Sequence, residues 1–137
     1  MKATGYSGTP LAKKLGIKAG FKIKIVNQPA YYYKLFKDFP SETDHINDVK
    51  TKKDFIHYFA KTTAELIGDI TQLRQEIAQN GIIWISWPKK ASKVESDLNG
   101  NIVREIGLSN GLVDIKVCAI DETWSGLKFV IPVKDRT

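Results

Sequence analysis

The chain has 137 residues, of which 42% are hydrophobic and 26% charged. These values are ordinary for a globular protein with one core, so the composition favours a folded domain over a disordered chain. A single cysteine, Cys118, excludes an internal disulfide, and with only His45 and His57 beside it there is no ligand spacing for a zinc site. The chain has neither a signal-peptide pattern nor an apolar run long enough to cross a membrane. We therefore predict a single cytoplasmic domain spanning residues 1–137, with no cofactor and no metal.

The positive charge is concentrated at the start of the chain. The net charge is +6, yet residues 1–37 contain eight lysines and no Asp, Glu or Arg, while the remainder is slightly acidic. Such a segment attracts phosphate groups, nucleic acid or acidic partners. A solvated face that only keeps the protein in solution is the alternative interpretation.

The first half of the chain predicts two short helices and three strands. Thr9 is the expected N-cap of the first helix, Pro10 its first residue and Gly16 its end. The remaining expected elements are a strand at Phe21–Val26, a short aromatic helix at Ala30–Lys37, a weak strand near Asp44–Val49 and a buried strand at Asp54–Ala60.

The second half predicts two helices and three strands. Thr62 and Glu65 have the spacing of a capping box, so we expect a helix to begin at Thr63. The expected elements are a helix at Thr63–Asn80, an apolar strand at Ile82–Trp87, a helix at Asn101–Leu108 and strands at Leu112–Ile120 and Leu127–Val133 around a loop at Asp121–Ser125.

Alternating strands and helices indicate an α/β protein with a mostly parallel sheet between two layers of helices. The last two strands should form an antiparallel hairpin. The predicted fold is a Rossmann-like three-layer sandwich, similar to a reduced methyltransferase fold. One feature of that fold is missing, because the first strand leads into Asn27–Tyr33, which contains three tyrosines and no glycine. Dinucleotide and S-adenosylmethionine sites need glycines there, so we expect neither ligand in its usual place.

Two polar clusters are the candidate binding sites. Lys89, Lys90 and Ser92 follow the apolar strand, at the edge of the sheet where open α/β folds bind ligands. They can hold a phosphate or a carboxylate, or they can belong to a charged loop that caps a helix. Asp121 and Trp124 lie in the predicted hairpin loop, where the tryptophan either covers a ligand or, as we favour, closes the edge of the core.

The sequence resembles a widespread bacterial family that is catalogued as a domain of unknown function. The resemblance rests on G-Y-S-G-T-P-L-x-x-K-L-G at residues 5–16, W-P-K-K-x-S at 87–92 and G-L-V-D-x-K-V-C-A-I-D-x-x-W-S-x-L-x-F at 111–129. It extends over nearly the whole chain and is weakest at residues 27–53. It implies a bacterial, cytosolic, single-domain protein and implies no activity.

Three functional hypotheses follow from the residues. The first is a module that binds an anionic or phosphorylated small molecule through Lys89, Lys90 and Ser92, with Tyr6, Ser7 and Thr9 contributing from the N-terminal turn.

The second is a binder of nucleic acid or of an acidic partner through the lysine-rich segment, where charge and aromatic stacking suit single strands. The third is a small enzyme descended from a transferase, with Asp114 or Asp121 as base and Lys116 or Lys89 as its electrostatic partner. Cys118 and His57 are expected to be buried and inert.

Overall fold

A computed structural model describes residues 9–137, and its centre is one six-stranded sheet. The strands are β1 (Lys22–Val26), β2 (Asp44–His45), β3 (Lys53–Phe59), β4 (Ile77–Pro88), β5 (Val113–Ala119) and β6 (Trp124–Val130). Their order across the sheet is β2-β1-β3-β4-β6-β5. Strands β1 to β4 are parallel, and β6 runs antiparallel to both β4 and β5. The predicted parallel sheet with a terminal hairpin is confirmed.

Helices cover both faces of this sheet. The helices are α1 (Leu11–Leu15), α2 (Thr63–Glu76) and α3 (Gly100–Ser109). Alternate residues of β3 point to opposite faces, so Phe55 and Phe59 pack with α1, whereas Ile56 and Tyr58 pack with α2 and α3. The two faces are called the α1 face and the α2/α3 face below.

The ends of the first two helices differ in how far they match the prediction. Pro10, rather than Thr9, is the N-cap of α1, and the carboxylate of Asp38 accepts from the N–H groups of Ala12 and Lys13 in the first turn, over 3.1 and 3.0 Å. Gly16 ends α1 with a φ of 88°, as its position predicts. The capping box at Thr62 and Glu65 is present in full at the start of α2.

The prediction for the end of α2 was wrong. The helix ends at Glu76, and Ile77 begins β4 directly, by pairing with Lys53 of β3. Ile77 continues the spacing of the apolar helix residues, and it is buried as the first residue of the strand. The periodicity therefore could not reveal the change from helix to strand.

Two further elements differ in extent from their predictions. The aromatic helix is a single 3₁₀ turn at Tyr32–Leu35, and the weak strand has only two residues, Asp44 and His45. The hairpin loop is also shorter than expected, because Trp124 is already the first residue of β6. The helix Gly100–Ser109 agrees with its prediction to within one residue at each end.

Candidate functional site

An open cleft of about 650 Å³ lies at the carboxyl end of β4. Its residues come from the end of β4, from the loop that leads into α3 and from Ser125 of β6: Trp87, Pro88, Lys89, Lys90, Lys93, Val94, Glu95, Ser96, Asp97, Leu98, Asn99 and Ser125. Trp87 and Leu98 belong to the core on the α2/α3 face. The cleft therefore has a partly apolar floor and a charged rim.

A tight turn holds the lysines at the rim. Pro88 ends β4, and the backbone N–H of Lys89 donates to the carbonyl of Thr123 over 2.7 Å, which ties the turn to the hairpin. A 3₁₀ turn at Lys90–Ser92 follows, and Lys93 then adopts a left-handed φ of 67°. This change of direction sends the chain back towards α3 and opens the cleft.

Ser92 shapes this turn. Its hydroxyl donates to the carbonyl of Lys89 over 2.6 Å and accepts from the N–H of Val94 over 3.3 Å. Both bonds are local to the turn, and Ser92 is not among the lining residues. The sequence-based hypothesis placed a ligand contact there, whereas the structure gives the hydroxyl two partners within its own loop.

The three lysines at the rim differ in how far their side chains are exposed to solvent. Lys90 and Lys93 are exposed. Burial lowers the pKa of the Lys89 amine, and the nearby Asp121 and Glu122 oppose that shift by favouring the charged form. The cleft therefore presents two exposed ammonium groups beside one that is partly desolvated.

The acidic and amide side chains on the other wall serve as helix caps. Asp97 accepts from the N–H of Thr63 over 2.7 Å at the start of α2. Asn99 accepts from the N–H of Ile102 over 2.9 Å and is the N-cap of α3. The positive end of the α3 dipole thus lies at the cleft wall.

The second predicted cluster, Asp121 and Trp124, adjoins the lysine turn but does not line the cleft. Asp121 accepts from the backbone N–H groups of Thr123 and Trp124 over 2.8 and 2.7 Å, which fixes the hairpin turn. Trp124 is buried on the α1 face and meets Phe59 edge-on, with ring centroids 5.0 Å apart. The structure places Trp124 in the core, as favoured, and neither Asp121 nor Trp124 lines the cleft.

Of the three N-terminal candidates, the structure describes Thr9 alone, and Thr9 does not line the cleft. Tyr6 and Ser7 lie outside the described residues. Thr9 is exposed and immediately precedes α1, whose Leu11 packs on the α1 face. The cleft opens on the α2/α3 face, so Thr9 and the lysine turn are associated with opposite sides of the sheet.

Of the candidate bases and their lysine partners, Asp121 lies near Lys89, whereas Asp114 and Lys116 are separated by the fold. An irregularity in β5 lies between the two residues, and they pair with Phe129 and Lys128 respectively, which point to opposite faces. Asp114 also forms an ion pair with Arg104 of α3 at 3.2 Å. These two groups cannot act together on one substrate.

The two expected inert residues are buried. Cys118 is buried in β5. His57 is fully buried, and its ring nitrogens are 2.9 Å from the Tyr32 hydroxyl and 2.8 Å from the Ser86 hydroxyl. Burial lowers the pKa of His57 to about 3, so the imidazole is neutral.

Tyr32 fills the space that follows β1. Its buried ring packs edge-on against His57 and Phe59 and at a tilt against Phe36. The strand order reverses at β1, because β2 lies on one side of it and β3 on the other. Ligands of open α/β folds bind at such a point, and here an aromatic side chain occupies one face of it.

Sequence reasoning missed Lys93, Ser96 and Ser125 as lining residues. Lys93 shares a short lysine-rich run with Lys89 and Lys90, which was the available signal. Ser125 reaches the cleft only because β6 pairs with β4, with Trp87 opposite Ser125.

Among residues 9–137, no helix is long and apolar enough to cross a membrane, and no group of three acidic, His or Cys side chains could hold a metal ion.

Comparison with solved structures identifies the fold. The chain is similar to a magnesium protoporphyrin IX methyltransferase from Synechocystis PCC 6803, at 11% identity and a TM-score of 0.61 over 88% of this chain and 79% of the other. A SAM-dependent methyltransferase from Aquifex aeolicus matches at 14% identity and a TM-score of 0.58 over 88% of both chains. A TehB-like SAM-dependent methyltransferase from Corynebacterium glutamicum matches at 12% identity and 0.54, over 88% and 85%.

The sequence itself matches no protein-family model and no curated protein. At identities of this order, structural similarity establishes the fold alone. The strand order, the layer arrangement and the terminal antiparallel hairpin agree with it. The chain has the Rossmann-like fold of SAM-dependent methyltransferases, in a reduced form that lacks the glycine-rich turn after the first strand.

Proposed function

We propose that this protein binds an anionic small molecule that carries a phosphate group, and that the cleft beside Lys89, Lys90 and Lys93 is the site. The cleft volume is in the range typical of small-molecule sites, which combine an apolar wall with a few polar groups. Trp87 and Leu98 supply that wall.

The observation that carries the proposal is the placement of three lysines on one short turn at the carboxyl end of a buried parallel strand. This edge is where open α/β sheets bind ligands. The opposing acid Asp97 is engaged in capping α2, and the start of α3 adds a favourable dipole for an anion. The lining contains three lysines against the two acids Glu95 and Asp97, so its net charge is positive and favours a negatively charged ligand, although Asp121 and Glu122 lie near Lys89.

Replacing Lys89 and Lys90 together tests this site. The Lys89→Ala, Lys90→Ala double variant is expected to fold like the wild type, because side chains at this rim contribute little to stability. A phosphorylated metabolite that raises the melting temperature of the wild type by mass action should raise that of the variant by much less, because the variant lacks two of the three cleft lysines. Thermal shift across a panel of phosphorylated metabolites measures both properties.

The matched control is a Lys18→Ala, Lys37→Ala double variant, which removes the same charge from exposed positions outside the cleft. It should respond to ligand like the wild type. An equal response from all three proteins would rule out the cleft as the site, whatever ligand is found.

A small enzyme of the transferase class is the second candidate function. The similarity of this fold to methyltransferases supports it. The residues after β1 do not fit S-adenosylmethionine in the usual place of that fold, because residues 27–33 contain no glycine and the Tyr32 ring fills the adjacent face. We therefore assign no methyl-transfer step to this chain.

Binding of S-adenosylmethionine separates the two candidates. We expect no measurable heat of binding for S-adenosylmethionine or S-adenosylhomocysteine in titration calorimetry, because Tyr32 is held in place by His57 and surrounding aromatic rings. Binding of either compound with micromolar affinity would favour the enzyme over the binding module. A methyltransferase of known affinity serves as the positive control.

Nucleic-acid binding through the lysine-rich segment has weaker support. Lys24 is engaged with Glu76 on the α2/α3 face, at 2.9 Å, whereas Lys13 lies on α1 across the sheet. Lysines that are divided between two faces do not form the continuous basic path that tracks a phosphate backbone.

A further inference from the structure

A second pair of lysines lies far from the lysine turn, on the hairpin strands β5 and β6. Lys116 and Lys128 are directly opposite each other in the antiparallel register. Side chains in such a pair point to the same face, with Cβ atoms about 4.5–5.5 Å apart, and like charges in this arrangement are destabilising. The register therefore brings two side chains of like charge to one face of the hairpin, which is unfavourable.

Among residues 9–137, no ion pair with an acidic side chain neutralises either of these lysines. Within residues 9–137 the ion pairs are Lys24–Glu76, Lys53–Glu76 and Arg104–Asp114, and neither lysine of the hairpin takes part. The sequence of residues 1–8 contains no Asp or Glu that could supply a partner. The positive charge at this position is left for a group from outside the chain.

The lysine pair and the cleft are on opposite faces of the sheet. Lys128 pairs with Trp84, which packs on the α1 face, whereas Trp87 at the cleft packs on the α2/α3 face. Lys116 is exposed, and Lys128 is half-buried. Burial lowers the pKa of the Lys128 amine, and the charge of Lys116 lowers it further.

We infer that Lys116 and Lys128 form an anion site on the α1 face of the hairpin, which binds a phosphate dianion between the two ammonium groups. Two positive charges match one dianion, and its binding replaces their repulsion with two charge-assisted hydrogen bonds. Inorganic phosphate and the terminal phosphate of a monoester share this chemistry. A phosphodiester, with one charge per group, matches it less well.

A Lys128→Met substitution tests the inference. Methionine keeps the unbranched apolar stem of lysine and removes the charge. The parent for this test is the Lys89→Ala, Lys90→Ala, Lys93→Ala protein, which lacks all three cleft lysines, so that any response of the cleft is removed. In low-salt buffer without phosphate, adding Lys128→Met should raise the melting temperature by about 1–3 °C, because the repulsion is relieved.

The same substitution should abolish the stabilisation of the protein by phosphate. Inorganic phosphate, titrated at constant ionic strength against chloride, is expected to stabilise the parent and to leave the Lys128→Met protein unchanged. Glucose 6-phosphate in place of phosphate distinguishes a monoester ligand from the free ion. A Lys18→Met substitution in the same parent is the control, and it should retain the full response.

Two results would overturn the inference. One is a phosphate response that is the same with and without Lys128, including no response in either protein. The other is a Lys128→Met protein that is less stable than its parent in phosphate-free buffer. Because the cleft lysines are absent from every protein compared, failure of this site and failure of the cleft proposal are distinguishable.

Discussion

Replacing Glu76 with alanine is expected to destabilise the protein by about 3–5 kcal/mol, the cost of leaving a buried charge without its partner. Glu76 and Lys53 are both fully buried, and the Lys53 amine is 2.6 Å from the Glu76 carboxylate. Lys24 and Gln72 donate to the same carboxylate over 2.9 and 3.0 Å. The substitution removes the acceptor shared by all three donors and leaves Lys53 bonded only to the carbonyl of Asp48.

Urea unfolding of Glu76→Ala measures this loss. Gln75→Ala is the matched control, since Gln75 is the preceding residue of α2 and its side chain is exposed. The control should unfold within about 0.5 kcal/mol of the wild type. Equal stability of Glu76→Ala and Gln75→Ala would contradict a stabilising role for the buried ion pair.

The stability that the Glu76 carboxylate contributes should decrease as the pH falls. Burial raises the pKa of Glu76, but hydrogen bonds from Lys53, Lys24 and Gln72 outweigh it and hold the pKa below its usual range. The carboxylate therefore stabilises the fold above its unfolded pKa of about 4.3, and this contribution is lost as the pH falls through the lower pKa of the folded state.

A Glu76→Gln variant isolates this contribution, because it keeps the shape of the side chain and cannot titrate. The difference in unfolding free energy between the wild type and Glu76→Gln should be constant from neutral pH to about pH 5 and should shrink below about pH 4. A difference that does not change down to about pH 3 would show that the charge of Glu76 is not stabilising.

Trp124→Ala is the second substitution with a large expected effect, a loss of about 3–5 kcal/mol. Trp124 is 6% exposed and packs against Phe59 across the carboxyl edge of the sheet. Alanine would leave a cavity between β6 and β3, and the paired strand β4 that lies between them cannot move to fill it. Thermal or urea unfolding measures the loss.

Val117→Ala provides the comparison, because Val117 lies on the neighbouring strand and is 68% exposed. It should lower stability by less than about 0.5 kcal/mol. If Trp124→Ala unfolds like Val117→Ala, the indole does not pack in the core, and the alternative that it covers a ligand would gain support.

Local sequence patterns determined most of the elements and their order. The capping box at Thr62 and Glu65, the glycine at Gly16 and the alternation in β1 depend on residues that are near one another in the chain, so spacing alone reveals them. The absence of glycine after β1 likewise followed directly from the sequence. These features were sufficient to predict a Rossmann-like sandwich with a terminal hairpin.

Part of the candidate site could also be predicted from the sequence. Lys89 and Lys90 follow an apolar strand, and in a parallel sheet such a position is at the ligand-binding edge. The sequence could not separate Lys90, which faces the cleft, from Ser92, whose hydroxyl bonds to its own turn. That difference depends on the left-handed conformation at Lys93, for which no local residue preference gave a signal.

Only the tertiary structure decided which distant groups meet. Glu76 joins Lys53 and Lys24 because β1, β3 and the end of α2 converge at one edge, and Lys116 faces Lys128 because of the hairpin register. A shift of one residue in β5 turns a side chain to the other face, so the irregularity after Asp114 separates it from Lys116. The sequence specified the helices and strands because capping, glycine and periodicity patterns involve residues close together in the chain. Strand pairing and register specified the charged clusters, because those contacts join residues that are far apart in the chain.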